Sequence, residues 1–566
     1  MIRSLPIRLE PRPGESATSW LCALAYRNCV TWQQILAAVG LYRRRNDTRR
    51  LRWAARLHPH EIQNLATATG LTAEALTAMT LARFDGIGLT TGRRPPRKDL
   101  GALRACHNPW RYCPHCLSDS GGRWQVQWAL GFSFACIEHK SLLADFCPDC
   151  GRVPQRRAPL AHAIPNLSAC GQASANHTRG RRCGADLTDV PRIAQPAGSD
   201  VIRAQRVVNS VIADSATHFR LYRQRPASAA AVLADLRAIG NQALALGVYR
   251  SPPAHFRAAN PRGETHYQSQ ATAAALTAAV HILDLPDIDT AGARLTALAE
   301  QARPSTRRTQ TKWTTMRLEA TTSTLTALRI SAARHSLSPS DQLRFRAFTS
   351  RPHRPARPEA VLAKVTRALP SQLWGDWVRD LCPQEDTSDI VRGALSCAVT
   401  LVGTQAPLRS ITALLGIDDS ASSVWKTLRH LESDSDWTRI ALGVTRLADH
   451  IATHPVVIDY HRRRRLTYDF VLTPTQCERL HEITAHARPV DVAVVKCVLF
   501  ERLSGQPIRY APWYRDHHDF HGACRHIGDG PSAEVRLLLD EIALAYLAGC
   551  GIAEPITACP ELAPPD

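Results

Sequence analysis

Residues 113–150 read CPHCLSDSGGRWQVQWALGFSFACIEHKSLLADFCPDC, and the fold of the N-terminal third turns on them. Two Cys-x2-Cys knuckles, Cys113-Pro-His-Cys116 and Cys147-Pro-Asp-Cys150, each present two thiolates to one tetrahedral ion, and Cys136-Ile-Glu-His139 repeats that spacing with an imidazole. Cys170 and Cys183 follow. Together Cys113, Cys116, Cys136 and His139 make one closed set of four ligands, and Cys147, Cys150, Cys170 and Cys183 make a second. Closed four-ligand sites are structural, so the expected cofactor is Zn2+ at two structural sites, with no catalytic residue among the ligands. The twelve residues between Cys170 and Cys183 leave His162 and His177 as alternative fourth ligands of the second site. Between the first knuckle and Cys136, Trp124, Val126, Trp128, Leu130, Phe132 and Phe134 fall on alternate positions. That period predicts a β-hairpin broken near Gly131, with its aromatic face packed as core over the metal sites.

The surrounding chain is long and basic. Its 566 residues suffice for several domains, and 44% apolar with 21% charged residues exclude a largely disordered chain. A net charge of +20 is concentrated: residues 1–190 hold 26 basic and 13 acidic side chains, and residues 303–357 hold 12 and two. GC-rich coding would explain Arg replacing Lys, but not a local excess of Arg over acids. An anionic partner is expected, with double-stranded DNA first. Thiolates and zinc together trim the N-terminal excess by about three charges and leave it basic. No run of 18 apolar residues occurs and Met1-Ile-Arg-Ser-Leu-Pro lacks an apolar signal core, so a cytoplasmic, nucleoid-associated protein with no membrane partner is expected. Its 17 Cys are then reduced or metal-bound rather than disulfide-linked.

Two segments have helix-turn-helix character. In residues 62–81, Ala66, Gly70, Leu71, Leu76 and Met79 fit the template, but the second helix offers only Thr72, Glu74 and Thr77. In residues 408–430, Gly416 marks a longer turn and the second helix carries Ser422, Ser423, Lys426, Thr427 and Arg429, which makes Lys426 and Arg429 candidate DNA contacts. Among the basic tracts, Arg93, Arg94, Arg97 and Lys98 are favoured as phosphate contacts because Pro95 and Pro96 hold them extended. Arg462, Arg463, Arg464 and Arg465 are favoured because four adjacent guanidinium groups repel without an anion. Arg43 to Arg45, Arg181-Arg182 and Arg307-Arg308 are weaker candidates.

The periodicity beyond residue 200 is helical, no Walker-type phosphate loop occurs, and no internal repeat is evident. The expected fold class is mainly α and multi-domain. Residues 1–105 form a helical N-terminal part with a possible helix-turn-helix, 106–190 a double zinc-finger module, 200–302 a helical domain, 303–358 a basic helix with linkers, and 359–566 a helical C-terminal domain with a second helix-turn-helix. Asp376, Asp459 and Glu478 follow no spacing of a metal-dependent nuclease, and His517-His518-Asp519-Phe-His521-Gly-Ala-Cys524-Arg-His526 reads as a polar loop rather than a metal site.

The opening Leu5-Pro-Ile-Arg-Leu-Glu-Pro-Arg-Pro-Gly-Glu-Ser-Ala-Thr-Ser-Trp20-Leu, followed by Arg111-Tyr-Cys-Pro-His-Cys-Leu117 and the later knuckles, closely resembles the TniQ family. The resemblance covers about residues 5–190, and Leu373-Trp-Gly-Asp-Trp377 and Ile458-Asp-Tyr-His-Arg-Arg-Arg-Arg-Leu466 look like segments of long bacterial members. It implies a non-enzymatic adaptor for transposon target-site selection and DNA recombination. The adaptor bridges target DNA to an AAA+ ATPase and a transposase, with a guide-RNA complex as an alternative source of specificity. The competing expectations are a zinc-finger transcription regulator that binds an operator and a zinc-ribbon nuclease.

Overall fold

The computed structural model describes residues 3–42, 53, 55–87, 110–154, 158–173, 182–196, 198–214, 219–245, 269–301, 322–383, 388–434, 436–484, 491–528 and 532–561. The chain divides into two units, one reaching Leu328 and the other running from Arg329. Both are built from helices. Among the described residues the only sheet is a pair of two-residue strands, β1 (Ala135–Cys136) and β2 (Ser141–Leu142), antiparallel with Ala135 opposite Leu142. No helix among the described residues is long and apolar enough to cross a membrane.

The first unit opens with α1 (Ala17–Arg27), α2 (Trp32–Ala38), α3 (Pro59–Thr69) and α4 (Ala73–Ala78) around a core of Trp20, Leu24, Trp32, Ile35, Leu65 and Leu76. Local sequence sets each boundary. The Ser16 hydroxyl accepts the Ser19 N–H and starts α1, and Thr31 with Gln34 forms a capping box on α2. Gly70, at φ +76°, ends α3 in the left-handed conformation that glycine adopts without strain. The expected helical hairpin therefore forms, with a second helix, α4, of six residues that exposes Thr72 and Glu74.

After α5 (Pro114–Ser120) the aromatic row departs from the expected hairpin. Trp124, Val126, Trp128, Leu130, Phe132 and Phe134 are all buried, as core packing requires. They lie on irregular backbone with a 3-10 turn at Val126–Ala129, and only residues 135–142 form the hairpin. The reason lies in where the backbone groups are satisfied: Val126 N–H donates to Gly14 C=O at 2.8 Å, Trp128 to Gln125 at 3.2 Å and Leu130 to Gln127 at 2.9 Å, which leaves no ladder to make. Trp110, Tyr112 and Trp128 pack around Trp124 with ring centroids 5.4–6.4 Å apart. Alternating burial here reflects a chain wrapped on a core, not a pleat.

Helices α6 (Asp200–Asp214), α7 (Ala229–Ala245), α8 (Ser269–Leu283) and α9 (Ile288–Gln301) complete this unit, and α10 (Ser323–Ala333) runs across its boundary. Gln205 on α6 holds the hairpin, its Oε1 accepting the N–H groups of Phe134 at 2.7 Å and Ala135 at 3.0 Å.

The second unit contains α11 (Pro339–Arg344), α12 (Glu359–Ala368), α13 (Gly375–Leu381), α14 (Asp389–Leu401), α15 (Leu408–Leu415), α16 (Ala421–Asp434), α17 (Trp437–Thr453), α18 (Tyr460–Arg463), α19 (Pro474–Thr484), α20 (Val492–Ser504), α21 (His518–Gly528) and α22 (Ala533–Gly549). They form two cores. The first joins α12 to α17 around Leu395, Val399, Ile411, Leu428 and Val444; the second joins α19 to α22 around Val498, Leu499, Phe520, Leu539 and Ile542. His518 to His526 thus belong to a helix, not to the expected polar loop. Phe520, Cys524 and Ile527, four and three residues apart, supply the apolar stripe that fixes it on the core.

Candidate metal centres and nucleic-acid face

Both cysteine sets converge. In each, the four ligand atoms lie within 4.8 Å of one another. In the first, Cys113 stands at the N-terminal cap of α5 with Pro114 at the first helical position, and Cys116 follows one turn later. Cys136 ends β1, and His139 sits in the hairpin turn, which closes at Lys140 with φ +46°. Cys116 Sγ lies 3.6 Å from Cys136 Sγ, and His139 Nδ1 lies 3.6, 3.2 and 3.5 Å from the sulfurs of Cys113, Cys116 and Cys136. A tetrahedral ion with metal–sulfur bonds of about 2.3 Å and metal–nitrogen bonds of about 2.0 Å needs sulfur–sulfur edges of about 3.8 Å and sulfur–nitrogen edges of about 3.5 Å. The donors fit it.

Asp119, which sequence spacing did not single out, completes this centre. Its carboxylate oxygen is 2.9 Å from His139 Nε2 and accepts that N–H, which leaves Nδ1 as the ligand atom. The signal was present in the sequence, because residue 119 lies on the helical turn following Cys116, but only the folded hairpin brings the imidazole over it.

In the second set, Cys147 and Cys150 flank a knuckle closed by Gly151 at φ +62°, with Gly151 N–H donating to Cys147 C=O at 2.9 Å. Cys147 Sγ is 3.7 Å from Cys183 Sγ, and Cys150 Sγ is 3.7 Å from Cys170 Sγ. Residues 170 and 183 are brought together by backbone pairing: Cys170 N–H donates to Ala185 C=O, Cys183 N–H to Gln172 C=O and Gly184 N–H to Cys170 C=O. The long sequence gap therefore closes on Cys183; His162 is exposed outside the set and His177 lies outside the described residues. Hydrogen bonds from Cys116 and Cys136 pull the Cys113 thiol below its usual range, and hydrogen bonding to Cys113 pushes Cys116 upward. Burial raises Cys150 to about 11 and also raises Cys170. A divalent cation among these sulfurs would displace their protons.

The sequence motif at residues 14–20 joins α1 to this module. Gly14, at φ +73°, lets residues 14–16 run beside Gln125 and Trp124, with Ser16 N–H donating to Trp124 C=O at 2.8 Å. Glu15, wholly buried, accepts Arg123 Nη1 at 2.7 Å, and Ser19 Oγ donates to Glu15 at 2.8 Å while accepting Trp124 N–H at 2.9 Å. A second buried pair, Arg111 with Asp145 at 2.8 Å, links the module to α8, because Asp145 Oδ2 accepts both the N–H and the hydroxyl of Ser269.

The candidate DNA contacts divide. Arg93, Arg94, Arg97 and Lys98 lie outside the described residues. Lys426 and Arg429 are exposed on α16, which packs through Val424, Leu428 and Leu431 and follows Gly416 at φ +64°. Ser422, Ser423 and Trp425 share that exposed face, and the Arg429 guanidinium lies 5.4 Å from the Trp425 ring and 2.8 Å from Glu432. The Arg462–Arg465 tract corrects the expectation of a free basic run. Arg463 is fully buried, bonded to Glu554 at 3.1 Å and to the carbonyls of Pro555 and Ile556. Arg464 donates to the carbonyls of Thr366 and Leu369, and burial holds its pKa down to about 10. Arg462 donates to Gly551 C=O at 3.1 Å, while Arg465 is exposed. Carbonyl oxygens and a carboxylate relieve the guanidinium repulsion at Arg462, Arg463 and Arg464.

No curated protein and no solved structure matches the chain. The TniQ family model matches residues 6–143, which contain α1 to α5, the Glu15–Arg123 pair and the whole first metal set. The chain is thus similar to the TniQ family through that N-terminal segment, about a quarter of its length.

Proposed function

We propose that this protein is a zinc-stabilised adaptor that selects the target site of a transposon, holding target DNA while an AAA+ ATPase and a transposase supply the chemistry. Zn2+ is the ion that best suits seven thiolates and one imidazole in two closed tetrahedral sets. Its role would be to hold the hairpin, the knuckles and α1 in one body.

The observation that carries direct DNA reading is the outward face of α16. From Ser420 to His430 it presents Ser422, Ser423, Trp425, Lys426 and Arg429 with no acidic residue in that span, on a helix set by a glycine turn against α14 and α15. Such a helix fits the major groove, and Lys and Arg are the side chains that meet guanine edges and phosphates there. The test is a selection from fragmented genomic DNA with the zinc-loaded full chain, carried out over rising salt and followed by sequencing. Recovery of one defined site at high salt supports a direct reader. Binding without enrichment would overturn direct reading and point to a guide-RNA complex or another partner as the source of specificity.

A further inference from the structure

The second half of the second unit repeats the plan of the first, a relation hidden in the sequence by a six-residue difference in spacing. Helix α14 is followed by Gly403 at φ +68°, and α20 is followed by Gly505 at φ +69°. Each glycine leads into a Pro-apolar-Arg triplet, Pro407-Leu408-Arg409 and Pro507-Ile508-Arg509, with the proline capping the next helical turn. A reading-type helix then packs on the one before. Residues 424–431 of α16 are VWKTLRHL, and residues 520–527 of α21 are FHGACRHI. Val424, Leu428 and Leu431 are buried in the first, as are Phe520, Cys524 and Ile527 in the second. Arg429-His430 and Arg525-His526 are exposed in the same places. Two of the six residues of difference lie between the glycine and the proline, and four lie where α15 makes a full helix and the second copy makes only the 3-10 turn Ile508–Tyr510.

We propose that α21 is a second DNA-reading helix, presenting His518, His521, Gly522, Arg525 and His526 to the same duplex that α16 contacts; this rests on the DNA-binding reading above. Arg525 makes no ion pair among the described residues and is exposed, so its guanidinium is open to a phosphate, while Asp519 is the one acid on the helix itself. Gly522 points the same way. It lies in the middle of a helix on the exposed side, where an added Cβ would meet nothing within 4 Å. Glycine there is a poorer helix former than alanine, and no internal contact requires it. A nucleic-acid backbone lying close against the helix would require it.

The two helices are held at a fixed separation. Arg509 pairs with Asp389 at 3.3 Å and with Asp419 at 2.7 Å, Asp418 N–H donates to Tyr510 Oη at 3.0 Å, and Gln506 donates to Gly416 C=O at 3.1 Å. The segment leading to α21 is thereby fastened to the turn that leads to α16. One bound duplex should then show two separate tracts of contact.

The experiment is hydroxyl-radical footprinting of the zinc-loaded full chain on the fragment recovered by the genomic selection, with affinity measured alongside. Arg525→Glu/His526→Glu should lose one protected tract and bind about 10- to 100-fold more weakly, while the tract lost in Lys426→Ala/Arg429→Ala persists. Gly522→Leu, which removes no charge and improves helix propensity, should lose the same tract as the Arg525 variant with its circular dichroism unchanged. The proposal is overturned if the Arg525/His526 and Gly522 variants keep the full footprint and bind within twofold of the parent, or if all variants erase one and the same tract. If the parent chain protects no DNA, the DNA-binding reading itself falls with it.

Discussion

Replacing Glu15 by Gln tests whether the buried pair with Arg123 holds the N-terminal helices onto the metal module. The Glu15 carboxylate is fully buried and accepts Arg123 Nη1 at 2.7 Å on one oxygen and 2.5 Å on the other, Ser19 Oγ at 2.8 Å and Arg12 N–H at 3.1 Å. The neutral amide keeps an oxygen for one or two of these donors but leaves the Arg123 guanidinium, 10% exposed, without a counter-charge. Breaking a buried pair from one side costs about 3–5 kcal/mol. The remaining amide acceptor places this case near the lower end, so α1 should open about a hundredfold more often. Hydrogen exchange followed by mass spectrometry reads this directly in peptides spanning residues 15–27 and 123–130, and peptides of the second unit serve as internal reference. Glu15→Gln/Arg123→Met should recover most of the loss, because an apolar replacement of both partners removes the stranded charge. An increase in exchange below threefold for the single variant, or a double variant worse than either single, would refute the reasoning.

Asp119→Ala should weaken metal binding at the first set by about 10- to 100-fold through loss of the His139 Nε2–H acceptor, read from cobalt thiolate bands during chelator titration; equal affinity for the parent would count against it. Glu501 is raised to about 7 by burial, with Arg392 only partly opposing and Asp389 adding to the shift. Because its folded value lies above its ordinary 4.5, its contribution to stability is complete below pH 4.5 and is lost as pH rises to about 7. Glu501→Gln should therefore gain stability relative to the parent between those values, by on the order of 3 kcal/mol at pH 8; denaturant midpoints at pH 5 and pH 8 that shift equally would contradict this. Lys426→Ala/Arg429→Ala should reduce the slope of log K against log salt by about 2, and an unchanged slope would remove α16 from the interface.

The two candidate metal sets were legible in the sequence because ligand chemistry restricts both residue type and spacing. Three x2 pairs with Cys170 and Cys183 left no surplus, and the folded sets contain those eight residues. The helical hairpins were legible for the same kind of reason: Gly70 and Gly416 both adopt the left-handed conformation that ends a helix. Two features were not legible. Alternation of Trp124 to Phe134 reports burial on every second residue, and it cannot tell a strand from a loop whose N–H groups bond to Gly14 and to one another. The duplication in the second unit was hidden because Gly403 and Val424 are 21 residues apart while Gly505 and Phe520 are 15 apart. Backbone conformation at the glycines and burial along α16 and α21 restore the register.

The arginines carry a more general lesson about finding a nucleic-acid face. A guanidinium offers five donors and stays charged, so its burial requires acceptors nearby, and once these are present the residue no longer adds to the outward field. Arg111, Arg123 and Arg463 are buried against Asp145, Glu15 and Glu554, while Arg346 and Arg357 share Asp449. The longest basic run, Arg462 to Arg465, is mainly a fastening for the C-terminal segment at residues 551–556 and for the carbonyls of Thr366 and Leu369. The helices with outward charge have no such run: α16 offers Lys426 and Arg429, and α21 offers Arg525, spaced as helix faces require rather than adjacent in sequence. Consecutive charges point around a helix in all directions, and at least one of four must face the core. Charges three or four residues apart stand together on one side, which is the arrangement that a groove lined with phosphates can meet.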